Sequence, residues 1–156
     1  MDGILLGGGF PELHAGAISD NQTLRRELRE ALIDGLPCYA ECGGLMLLAD
    51  KLIDVRGDLF PMAGALPGTV EMMPTLQHFG YCSAFDGDSQ PHRGHEFHHS
   101  VWSDEAERGN AWSVTRKRTG SARQEGFRAG GLHASYVHLH FSNSANLVRT
   151  HLGFNS

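Results

Sequence analysis

Apolar residues fall in short runs separated by glycine, which sets the scale of the elements. Asp2-Gly3-Ile4-Leu5-Leu6 reads as a short buried strand that stops at Gly7-Gly8-Gly9, and Pro11 prevents its continuation. From Asn21 to Asp34 the spacing is helical: Leu24, Leu28 and Leu32 recur every four residues among Arg25, Arg26, Glu27, Arg29 and Glu30. Gly35 then terminates the helix, because glycine accepts the left-handed conformation that ends many helices. Leu36–Ala40 predicts a second strand, and Gly43–Ala49 a helix that opens directly after Cys42. Strand, crossover helix, parallel strand and helix within fifty residues is how a doubly wound α/β sheet begins.

The middle of the chain changes character. Residues 60–112 are rich in glycine and proline, with strand-like pieces at Gly68–Met72, Phe79–Phe85 and Glu96–Trp102 that suit antiparallel pairing at one side. Residues 103–110 and 117–126 read as turns or mobile loops, with a strand at Trp112–Arg116 between them. Leu132–Phe141 predicts a buried strand and Ala145–Leu152 a terminal helix. No repeat or low-complexity tract interrupts the pattern. The expectation is one domain over residues 1–156, an α/β fold with a mostly parallel sheet, helices on both faces and some antiparallel edge strands. A buried-type strand at residue 2, with no polar arm before it, suits a piece of a longer polypeptide.

Composition narrows the class. Of 156 residues 40% are hydrophobic and 20% charged, enough apolar content for a packed core. Thirteen Lys and Arg against 18 Asp and Glu, a net charge of -5, argue against a nucleic-acid binder. No apolar run is long enough to span a bilayer and no secretory signal is legible, so the chain is expected to be soluble and cytoplasmic. Three cysteines, Cys38, Cys42 and Cys82, do not make a disulfide framework. Ten histidines are many, and six of them form two groups: His95, His98 and His99, then His133, His138 and His140.

The chemistry gathers around Cys42. A nucleophile between a strand and a helix sits on a tight turn, exposed at the carboxyl end of the sheet, and needs small neighbours; Ala40, Gly43 and Gly44 supply them. The helix beginning after Cys42 is expected to lower the thiol pKa. A buried structural cysteine is the alternative. Gly7-Gly8-Gly9 lets backbone N–H groups of Gly8 and Gly9 turn toward a neighbouring site, where with Gly43 they would hold a developing oxyanion. A plain turn is the competing reading; no Gly-Lys-Ser/Thr follows, which disfavours a phosphate loop. The base is expected on the late strand, where His138 and His140 share a facing; His138 is chosen to take the thiol proton. A core histidine or a metal pair completed by the first histidine group is the alternative, although no spacing matches a zinc pattern.

Four segments taken in order carry a resemblance. Gly7–Glu12, Cys38–Met46, Gly94-His95-Glu96-Phe97-His98 and Ser135–Phe141 resemble the glutaminase domain of the cobyrinic acid a,c-diamide synthase family, over nearly the whole chain. The resemblance implies a class I glutamine amidotransferase-like fold, with Cys42 as nucleophile, His138 as general base and backbone amides of Gly8, Gly9 and Gly43 as oxyanion hole. It implies glutamine as substrate and a synthetase domain, on the same polypeptide or a separate subunit, that uses ATP and magnesium to amidate the a and c acetates of a corrin or related tetrapyrrole. No cofactor is expected in this domain.

Two positions depart from the wider class. His140 stands where most class I enzymes place a glutamate, so a Cys–His dyad is expected, as in this subgroup. His99 replaces an expected aromatic or hydroxyl residue, leaving Glu96 and His98 between two roles: orienting substrate or meeting the synthetase domain, and packing a strand. Competing functions are a cysteine hydrolase, such as a peptidase or deglycase, a histidine-based metal-binding module, and a glutaminase-like domain retained only for interaction.

Overall fold

A computed structural model describes residues 2–87, 90–103 and 111–154. Its first strands and helices are β1 (Ile4–Leu6), a 3-10 turn (Pro11–His14), α1 (Ala15–Asp20), α2 (Gln22–Ile33), β2 (Cys38–Glu41) and α3 (Gly43–Leu48). There follow β3 (Ala49–Ile53), β4 (Leu59–Pro61), β5 (Leu66–Met72), β6 (His78–Phe85), β7 (His92–His98) and β8 (Ser100–Ser103). The chain closes with β9 (Trp112–Arg116), β10 (Ala122–Glu125), β11 (Phe127–Ala129), β12 (Leu132–Ser135), β13 (His138–Leu139) and α4 (Phe141–His151).

The helix expected at 21–34 forms for the reasons its sequence suggests. Asn21 accepts a hydrogen bond from the Leu24 N–H through its side chain, satisfying an amide that the first turn leaves free. Leu28 and Leu32 pack against the core. Gly35, at φ 92°, ends the helix, with its own N–H bonded to the Leu32 carbonyl and the Leu36 N–H to that of Ala31.

A four-stranded sheet runs in the order β1-β2-β12-β11, parallel across the first three strands and antiparallel at β11. Alternation along β2 divides two cores. Cys38 and Ala40 face one, filled by Leu45, Met46 and Leu48 of α3; Tyr39 faces the other with Val148 of α4 and Leu152. Helices therefore cover both faces of this sheet, as expected of a doubly wound fold. β1 is its edge strand, and Leu5 remains 49% exposed, so the first strand is not buried as its composition suggested.

The antiparallel strands are more extensive than an edge decoration. Five form a second sheet, β10-β9-β6-β7-β13, and β4-β3-β5-β8 form a third with one parallel pair, β3 and β5. The piece expected as one strand at Glu96–Trp102 breaks at His99, giving β7 to the second sheet and β8 to the third. Leu132–Phe141 also divides. The Tyr136 N–H donates to the Glu125 carboxylate and the Val137 N–H to Ser135 Oγ, so the ladder of β12 stops and β13 pairs with β7 instead. Part of the loop expected at 117–126 is β10, paired to β9; residues 104–110 of the other lie outside the described residues.

Candidate active site

β2 ends at Glu41, and Cys42 turns the chain into α3 with φ 47° and ψ -101°, the one non-glycine residue at positive φ among those described. A side chain is held there only when its surroundings impose it, and such strain clusters at functional positions. What imposes it is close backbone packing. A Cβ on Gly43 would lie 2.6 Å from the Gly9 carbonyl oxygen and 2.7 Å from the Gly9 nitrogen; one on Gly44 would lie 2.7 Å from the Leu6 carbonyl oxygen. The Cys42 N–H is bonded to the Ser135 carbonyl at 2.7 Å, which ties the corner to the end of β12. The glycines expected around the cysteine are thus required by contact.

Gly8 extends the same seam toward the histidine, since a Cβ there would press on His138 Cε1 and lie 3.0 Å from Nδ1. The structure therefore strings Cys42, Gly43, Gly9, Gly8 and His138 together. Glu41, next to the cysteine in the chain, reaches His138 from the other direction: its Oε2 stands 3.8 Å from His138 Nδ1. His95 stacks on the His138 ring at 4.8 Å between centroids and 12° between planes. His140 does not share that position; it meets Tyr81 edge-on and tilts against His95.

Electrostatics correct one expectation. Cys42 is only 6% exposed, and burial pushes its thiol up to about 12, opposed by the Gly43 N–H and reinforced by the carboxyls of Glu12, Glu125 and Glu41. A helix of six residues does not outweigh this, so the thiol rests protonated at neutral pH rather than as the expected thiolate. His138 is shifted below the usual imidazole range, first by burial and then by His95, which leaves it neutral and able to accept a proton. Burial also raises Glu41 to about 7, against the Leu139 N–H and the Tyr39 hydroxyl that favour its charged form.

Cys42 lines a cavity of about 40 Å³ together with Gly9, Phe10, Glu12, His98, His99 and Ser100. His98 is neutral, pushed down to about 4 by burial; its Nδ1–H donates to the Ser100 carbonyl at 2.8 Å, and its ring stacks on Tyr136 at 3.8 Å. Ser100 Oγ donates to the Tyr136 hydroxyl. His98 is thus a packed strand residue that also lines the cavity. Glu96 is separated from the thiol's cavity: it is buried and paired with Arg123 of β10. His98 and Ser100 also line a larger cavity of about 200 Å³ with Arg123, Glu125 and Tyr136.

Glu41, Glu12, Ser100 and Tyr136 join the site only in the folded chain. Glu41 was within reach of a simple signal, because alternation from Tyr39 puts it on the opposite face from Cys38 and Ala40. The others depend on strands brought together from distant segments. The two histidine groups meet where β13 pairs with β7: His138 lies opposite His95 with their rings stacked, and His140 tilts against His95. Among the described residues, no three His, Cys, Asp or Glu side chains converge to hold a metal ion.

A model of the CobB/CobQ-like glutamine amidotransferase domain matches residues 1–146. The chain belongs to that family. It is 38% identical over 159 residues to the cobyrinate a,c-diamide synthase of Listeria innocua, across 95% of this chain and 34% of that protein. It is 37% identical over 164 residues to the synthase of the same name from Syntrophotalea carbinolica, across 99% of this chain and 36% of that one. The chain therefore spans only about a third of these relatives. A crystal structure of a glutamine amidotransferase superposes with a TM-score of 0.65 at 17% identity, covering 99% of this chain and 79% of that one, and supports the α/β fold. No described helix is long and apolar enough to cross a membrane.

Proposed function

We propose that this chain is a glutaminase domain that releases ammonia from glutamine through a thioester on Cys42. The observation that carries the reading is the strained corner at Cys42, pressed by Gly43 and Gly9 and joined through Gly8 to His138. His138 takes the thiol proton as the sulfur attacks the side-chain amide carbon of glutamine. The oxygen that becomes negative is received by the N–H of Gly43 and those of Gly8 and Gly9, each donor lowering the barrier by roughly 3 kcal/mol. Protonated His138 gives its proton to the departing nitrogen, and ammonia leaves. His138 then takes a proton from water as the water oxygen attacks the thioester carbon; the carbon–sulfur bond breaks to release glutamate, and His138 returns the proton to the Cys42 sulfur.

The full protein would pass that ammonia to a synthetase domain, carried on the same polypeptide or a separate subunit, for amidation of the a and c carboxylates of cobyrinic acid. ATP and magnesium belong to that step, and this chain's residues do not fit them. Gly8 packs on His138 and Gly9 on Gly43 instead of surrounding an open phosphate cradle, and no Gly-Lys-Ser/Thr follows the run.

Cys42→Ala should reduce glutamine-dependent ammonia release by at least about 10⁴-fold while leaving the fold intact. The glutamine analogue 6-diazo-5-oxo-norleucine should label Cys42 and leave Cys38 and Cys82 untouched. Ammonia release by Cys42→Ala at the parent rate would end the reading.

A further inference from the structure

We propose that Glu41 is the residue that positions His138, its Oε2 accepting the His138 Nδ1–H so that Nε2 stays free to take the thiol proton. The inference rests on the glutaminase reading for its purpose but on separate geometry for its content. Glu41 is buried at the end of β2, and its Oε1 already accepts the Leu139 N–H at 3.0 Å. Its carboxylate is therefore anchored to the short strand that carries His138, with the second oxygen 3.8 Å from Nδ1. A small rotation of either side chain closes that gap to a hydrogen bond. His95 stacked on one ring face and Gly8 against the ring restrict the imidazole to this plane.

The position two residues after His138 does not compete. His140 packs on Tyr81 and His95. An orienting anion is thus supplied from the residue before the nucleophile rather than from the strand of the base, and the dyad becomes a triad closed across two strands.

The consequence is a specific pH dependence. Facing Glu41 are the Tyr39 hydroxyl and Cys42 thiol of its own segment and the Leu139 N–H and His138 of β13. His138 in turn faces His95, with Glu96 acting on it at longer range and His140 beyond His95. Glu41 titrates at about 7, so its carboxylate can accept the Nδ1–H above that pH and loses this ability as pH falls through it. His138 lies lower, so its own protonation adds a second loss at more acid pH.

Glu41→Gln is the decisive variant. Its amide oxygen can keep the Leu139 N–H bond, while its NH₂ would donate toward Nδ1 and favour the opposite tautomer. Glutamine hydrolysis should then fall in kcat by about 100-fold or more, with KM changed by less than about twofold. The acid limb near pH 7 should disappear, leaving only the lower one of His138. Glu41→Asp should restore part of the rate and the limb. Nitrogen NMR of His138 at pH 8 should report a proton on Nδ1 in the parent and on Nε2 in Glu41→Gln. A folded Glu41→Gln protein with the parent's pH profile and tautomer overturns the proposal. Should the parent release no ammonia from glutamine, the glutaminase reading fails, and the tautomer still decides the role of Glu41.

Discussion

Two walls meet at the Cys42 cavity, and they are built differently. One is backbone: the β2–α3 corner, where Gly43 and Gly44 press on Gly9 and Leu6. The other is side chain: His98 and Ser100, backed by Tyr136, Glu96, Arg123 and Glu125. The first wall is specified by sterics, so one added carbon is enough to break it. The second is specified by charge and hydrogen bonding, so it responds to pH and to loss of a partner. The contrast teaches where each kind of substitution acts: on the geometry of the nucleophile, or on the ionisation of what surrounds it.

The sharpest break falls on the backbone wall. Gly43→Ala places a Cβ against backbone atoms of Gly9 that no side-chain rotation can move aside. Either Gly9 or the corner must shift, which should destabilise the fold by about 2 kcal/mol and reduce ammonia release about 10³-fold. Gly7→Ala is the matched control, since a Cβ there meets nothing within 4 Å. Equal denaturation midpoints and equal rates for the two variants would show that the close approach does not matter.

The same division explains what the sequence disclosed. The corner was legible because its requirements are local: a short apolar run, a cysteine, then Gly43 and Gly44. The helix at α2 was legible for the same reason, through Asn21, the leucine spacing and Gly35. The side-chain wall was not. Glu125 lies on a strand whose sequence, Ala122-Arg123-Gln124-Glu125, has no apolar alternation and reads as a loop. Pairing with β9 makes it a strand, and only that pairing carries Arg123 to Glu96 of β7. The breaks at His99 and Ser135 were hidden because β7 and β8, and β12 and β13, are near-continuous in sequence yet join different sheets. Partners far along the chain decided each of these points.

Arg123→Met tests the side-chain wall at its strongest pair. It leaves the Glu96 carboxylate buried beside His98 without its guanidinium, and should cost about 3 kcal/mol in urea denaturation at pH 7. Adding Glu96→Gln removes the orphaned charge, so the double variant should recover most of that loss. Additive losses in the two single variants would show that the residues do not act as a pair.

The effect that most cleanly separates the two walls is expected at Glu125. Its Oε1 accepts the Tyr136 N–H at 2.8 Å, whereas Oε2 is sealed from solvent without a hydrogen-bond partner among the described residues. Burial raises this carboxyl from 4.5 to about 8. The folded chain then keeps a proton that the unfolded chain gives up above its own, lower pKa. Its contribution to stability is complete below about 4.5, declines as pH rises, and levels off above about 8. Glu41 imposes a similar decline that ends near 7, so the informative quantity is the difference between parent and variant. Glu125→Gln keeps an acceptor for the Tyr136 N–H and has no proton to lose. Relative to the parent it should gain about 4 kcal/mol between pH 5 and pH 8.5, measured by urea denaturation at both values. A constant difference across that range would mean that Glu125 is ionised in the folded protein even at low pH, and that this wall is held by its charge rather than by its neutrality.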